Sequence, residues 1–195
     1  MKERLNIFES HRGALKHLYG LELYLSKCGL ETSLLHLLKF RVSQINGCAF
    51  CLDMHSKDLR AVGDSEQRLY VLEAWRESPF YSERERAALA WAEAVTLVTE
   101  GHVPDEVYEQ ARRQFNEAEL ADLTLAVVAI NGWNRLNIAI GAMSGAGSWG
   151  LAVVADVGSG AARVTQQPQC IGDFRDGRCP QFSTQHLAAR ICWSA

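Results

Sequence analysis

Leu34, Leu35, Leu38, Val42 and Ile45 recur at spacings of three and four within "ETSLLHLLKFRVSQI", which places them along one face of a helix. Asn46-Gly47 interrupts that period. A second helix is expected from Cys48 to about Val62, with Gly63 as its left-handed cap. Further along, "SERE" (Ser82 to Glu85) and "NEAE" (Asn116 to Glu119) each set a capping residue three positions before a glutamate, the arrangement that satisfies free helix N–H groups. Each opens an alanine-rich or leucine-rich helix. Pro104 suits the first turn of another. No convincing alternating strand pattern occurs between about residues 4 and 143, so the pattern predicts an all-α domain.

"SQINGC" (Ser43 to Cys48) returns as "VAINGW" (Val128 to Trp133) at an offset of 85, each time after a leucine-rich helical run. The echo suggests a two-helix unit used twice. In the second copy Trp133, Leu136 and Ile140 stand where the first has Cys48, Cys51 and His55, so the second copy is expected to pack rather than react.

Composition narrows the possibilities. With 195 residues, 48% of them hydrophobic, the chain can bury one substantial core. A formal net charge of -3 with no concentrated Lys/Arg run gives no footprint for nucleic acid or an anionic membrane. The N-terminal "MKERLNIFESHRG" lacks the apolar core of a secretory signal, and no window has the uninterrupted apolar length of a membrane span, so a cytoplasmic protein is expected. After Met143 the character changes: residues 144–195 contain no Glu and no Lys, are rich in Gly, Ser and Gln, and hold Cys170, Cys179 and Cys192. The expected division is therefore a helical domain over 1–143 and an atypical, weakly structured extension over 144–195, with "WGLAVVADV" its one strand-like run.

Six cysteines without a secretory signal point away from a disulfide-stapled scaffold and toward metal or redox chemistry. The stretch "INGCAFCLDMH" concentrates that chemistry in Cys48, Cys51 and His55. At about 100° per helical residue the three fall within an arc of roughly 60°, so their side chains can share one small volume. A helix starting near Cys48 offers unpaired N–H groups and a positive dipole end, both of which favour a thiolate. Lowering a thiol from about 8.5 to about 6 raises the thiolate fraction at pH 7 roughly 30-fold, but lost nucleophilicity gives back on the order of tenfold. Peroxide cleavage therefore also needs a proton donor for the leaving oxygen, a task for a histidine or a second thiol. One cysteine attacking and the other resolving the sulfenic acid would close the cycle. Two other readings stay open: a zinc site, which lacks a fourth ligand at a suitable spacing, and buried structural cysteines beside a core histidine. A thioredoxin fold would require βαβ units, and the surroundings are helical. No metal or cofactor is expected.

The run "LLKFRVSQINGCAFCLDMHSKDLR", followed by "SERERAALAWAEAVTLV" and "LADLTLAVVAINGWNRLNIAIG", resembles the alkylhydroperoxidase D (AhpD) branch of the carboxymuconolactone decarboxylase superfamily over about residues 5–143. The resemblance implies an all-helical homo-oligomer, often a trimer or hexamer. It implies a thiol-dependent reductase of small hydroperoxides, recharged by an external thiol or dithiol. Cys51 would be the peroxidatic cysteine, Cys48 its disulfide partner and proton donor, and His55 the proton relay. The decarboxylase branch lacks the cysteine pair, so lactone chemistry is the weaker implication. A catalytically weak oligomer serving as redox sensor or scaffold is the rival of another class.

The chain departs from the branch at one site position. Where such proteins carry a glutamate twelve residues before the first cysteine, this one has His36, which cannot supply a negative charge to orient His55 and would repel it if protonated. A weaker relay is therefore expected, with His36→Glu raising turnover. Glu85 is a possible substitute carboxylate, although its capping position favours a structural role. Trp75, Trp91, Trp133 and Arg135 read as packing or interface residues.

Overall fold

The computed structural model of the protein describes residues 3–145, and all regular structure among them is helical. The helices are α1 (Ile7–Ser10), α2 (Arg12–Leu25), α3 (Thr32–Asn46), α4 (Ala49–Ala61), α5 (Glu66–Tyr70), α6 (Glu83–Thr96), α7 (Asp105–Gln114) and α8 (Glu117–Ile140). Single 3-10 turns at Leu72–Ala74 and Val98–Glu100 follow α5 and α6. Apart from residues 144 and 145, the expected C-terminal extension, with its cysteines and its strand-like run, lies outside the described residues.

Helix α3 is the hub, packing against α4, α6 and α8. The face read from the sequence is real: Leu34, Leu35, Leu38 and Val42 join Ala88 and Ala92 of α6 and Leu123, Val127 and Ile130 of α8 in the main core. Ile45 is only half-buried. Leu37 and Phe40, on the other side of α3, enter a second cluster with Leu59, Leu72 and Trp75. A helix apolar on two sides spreads its hydrophobic residues around the axis, which is why one face understated its burial. Each buried leucine contributes about 1.5–3 kcal/mol, so α3 is held mainly by packing.

Both predicted capping boxes form: Ser82 with Glu85 opens α6, and Asn116 with Glu119 opens α8. Pro104 sits one residue before α7, as its N-cap. Glu85 also pairs with Arg68 at 2.6 Å, a structural role away from the cysteines. Among the described residues, α8 alone has the length and hydropathy of a membrane span, yet it places Leu123, Val127, Ile130 and Asn134 in the protein core.

Candidate active site

The site begins where α3 ends. Gly47 adopts the left-handed conformation at φ +66°, and its N–H and that of Cys48 close back onto the carbonyls of Gln44 and Ser43. The chain can then start α4 at once, with Cys48 as its N-cap residue. No side-chain oxygen caps this helix, so its positive end is left to the sulfur.

The Cys48 and Cys51 sulfurs lie 2.9 Å apart, both free thiols and both buried. The hydrogen bond from Cys51, helped by the backbone N–H groups of Cys51 and Phe50 and the Asn134 amide, pushes Cys48 down to about 7 against the effect of burial. Cys51 is pushed up, because losing its proton would break that hydrogen bond in a buried place beside the Cys48 charge. The pair therefore holds one proton on Cys51 and the first negative charge on Cys48.

Amides from α8 line the sulfurs. Asn137 Nδ2 donates to Cys51 Sγ at 3.4 Å, and Asn134 Nδ2 donates to Ser43 Oγ at 3.1 Å. Asn46 Nδ2 donates both to Asn134 Oδ1 at 2.9 Å and to Asn131 Oδ1 at 3.0 Å. The last contact joins the corresponding asparagines of the two echoed segments. The copies thus face each other across α3 and α8, although the second runs unbroken through Gly132 as one helix.

His55 lies one turn beyond Cys51 on α4, at the i,i+4 spacing that puts two side chains on one helix face. It is 5% exposed; Nδ1 hydrogen-bonds Asp58 Oδ2 at 3.2 Å, and Nε2 is buried with no hydrogen-bond partner. His36 reaches the same carboxylate from α3, with Nδ1 3.7 Å from Asp58 Oδ2 and its ring centroid 6.1 Å from that of His55. Burial lowers His36 to about 4 and also lowers His55, in each case against the opposing pull of Asp58. Asp58 stays below its ordinary value because the His55 hydrogen bond and neighbouring positive groups outweigh its own burial. At neutral pH this gives two neutral imidazoles around one carboxylate. One ligating atom from each of the three lies within 4.8 Å of the others, so they could also hold a metal ion.

The four sequence candidates thus form two adjoining groups, Cys48 with Cys51 and His36 with His55, linked along α4. Sequence reasoning missed Asp58, although three residues after His55 is the other spacing that shares a helix face. It also missed Asn137, whose link to Cys51 spans 86 residues. Trp91 and Trp133 pack as expected, bonding Thr124 and Glu22, while Arg135 turns outward and bonds Asn131 of its own helix.

The carboxymuconolactone decarboxylase family model matches residues 12–94. The uncharacterised protein YdfG of Bacillus subtilis is 43% identical over 141 residues, covering 72% of this chain and 96% of that one. A crystal structure from Agrobacterium tumefaciens, a protein of unknown function described as a putative antioxidant defence protein AhpD, superposes with a TM-score of 0.71 at 43% identity, covering 73% and 98% of the two chains. The debrominase Bmp8 shares the fold at 20% identity, with a TM-score of 0.63 and coverage of 76% and 78%.

Proposed function

The chain belongs to the carboxymuconolactone decarboxylase family, in its AhpD-like branch, and on that premise we propose that it is a thiol-dependent hydroperoxide reductase cycling Cys48 and Cys51 between dithiol and disulfide. The observation that carries this reading is the pair of buried sulfurs 2.9 Å apart at the start of α4. Cys51 passes its proton to Cys48 and attacks one oxygen of the hydroperoxide as a thiolate. The O–O bond breaks, Cys51 becomes a sulfenic acid, and the leaving alkoxide takes the proton from Cys48 to depart as alcohol. The Cys48 thiolate then attacks the Cys51 sulfur, the S–S bond forms, and hydroxide leaves as water with a proton relayed through His55. Placing attack on Cys51 uses its higher pKa, since the more basic thiolate is the better nucleophile.

Asp58 orients His55 in this scheme and supplies the carboxylate that position 36 lacks. His36, held neutral by burial, does not repel it. An external thiol or dithiol returns two electrons to the disulfide. Self-association is supported by Leu125, Val128 and Ile138, large apolar side chains of α8 left exposed. Residues 1–143 carry the activity, and a chain lacking 144–195 should keep its helicity and thiol reactivity by circular dichroism and thiol titration. Loss of soluble oligomer on truncation would contradict that division.

Burial of both sulfurs favours a second reading, a slow redox sensor or scaffold. Mixing reduced protein with one equivalent of an alkyl hydroperoxide separates the two. Stoichiometric alcohol with matching loss of two thiols per chain supports the reductase. Thiol loss no faster than that of a free thiol favours the sensor. Lactone decarboxylation needs neither sulfur, so activity surviving in a Cys48→Ser/Cys51→Ser variant would favour that chemistry.

A further inference from the structure

We propose that His36, His55 and Asp58 form a binding site for a divalent first-row transition metal of the zinc class. Ligands around a tetrahedral ion at ~2.0–2.1 Å sit roughly 3.3–3.4 Å from one another. The Asp58 oxygen stands 3.2 Å from His55 Nδ1 and 3.7 Å from His36 Nδ1, and the three ligating atoms lie within 4.8 Å of one another, so the set closes once the two imidazoles draw nearer each other. His55 is 5% exposed and carries a buried ring nitrogen with no hydrogen-bond partner, and His36 Nδ1 is likewise buried and unpartnered. An ion held by the two Nδ1 atoms and Asp58 would satisfy the His36 lone pair that the fold otherwise leaves orphaned.

The chemistry of the set fits as well. Two imidazoles and a carboxylate are donors that zinc, cobalt and nickel accept, and three protein ligands leave one position open. Lys39 is the nearby positive group that would oppose a cation, but its ammonium is paired with Glu22 at 2.5 Å. The side chains of His36 and Asp58 remain 24% and 20% exposed, which gives an ion a way in. Because His36 stands where a glutamate is expected, the cluster has the His2Asp composition in place of one histidine and two carboxylates. An ion bound here would occupy a nitrogen of His55 and slow the proton relay. That consequence rests on the peroxidase reading, whereas the site itself does not.

The test is cobalt titration of the full chain carrying Cys48→Ser and Cys51→Ser, in a phosphine reductant, followed by visible absorption. The expected result is one equivalent of Co2+ with ligand-field bands of nitrogen and oxygen coordination and no thiolate charge-transfer band. Adding His36→Ala, or the near-isosteric Asp58→Asn, should each weaken binding by at least about tenfold, with helicity unchanged by circular dichroism. Absence of the nitrogen/oxygen spectrum, or equal affinity in the parent and both variants, overturns the proposal. Since no peroxide is turned over, the outcome is independent of the peroxidase reading.

Discussion

Ile-Asn-Gly occurs twice in this chain, at 45–47 and at 130–132, and takes two shapes. At Gly47 the backbone turns left-handed, α3 stops, and α4 starts with a cysteine at its positive end. At Gly132 the helix continues, with α2 lying alongside: a Cβ there would meet Leu18 at 4.0 Å, while Trp133 stacks on Tyr19 and bonds Glu22. Identical local sequence thus permits either outcome, and packing against a neighbouring helix selects one. In the proposed cycle reactivity belongs to the copy that breaks, because only a helix start places N–H groups free of intrahelical partners beside a thiol.

The largest effect should come from removing what the break presents. Cys51→Ser is expected to lower steady-state peroxide turnover on the order of 1000-fold or more, whereas Leu136→Ser at the matching position of the second copy should alter stability and not the chemistry. The pH profile of Cys48 sharpens the same contrast. Its alkylation rate, followed by peptide mass spectrometry, should fall roughly tenfold per pH unit below about 7 and level off above it. Cys51→Ala removes the hydrogen bond that lowers Cys48 most, so the midpoint should rise toward the ordinary thiol value. An unmoved midpoint would mean that the helix start alone sets it.

Smaller effects should appear in stability. Asn46→Ala removes the donor that joins the two copies and leaves the buried Asn134 oxygen without its partner, while Asn131 keeps Arg135, at a cost of about 1–3 kcal/mol in urea denaturation. The glycines should respond with opposite sign. Gly47→Ala forces a Cβ into the left-handed region at φ +66° and costs about 1–2 kcal/mol. Gly132→Ala meets only ordinary van der Waals contact inside a helix and should gain about 0.5–1 kcal/mol. Equal signs would break the comparison.

Much of the fold was legible because it rests on local rules. The α3 face, the break at Gly47 and both capping boxes follow from spacing and from hydrogen-bonding needs within a few residues. The cysteines and His55 were legible for the same reason, lying within about two turns of helix. The second echo does not break into a two-helix unit, and the sequence does not show why, because the packing of α2 on α8 links residues more than 100 apart. The amides of α8 were hidden by equal distance, and the role of His36 could not be judged without Asp58, whose proximity depends on how α3 and α4 cross.

The most direct test of the central claim is stopped-flow oxidation of reduced wild type and Cys48→Ser by a hydroperoxide, with the sulfenic acid trapped and located by mass spectrometry. The account predicts fast disulfide formation in wild type and a trapped sulfenic acid on Cys51 when Cys48 is absent. Oxidation no faster than that of a free thiol, or a sulfenic acid found away from Cys51, would contradict it.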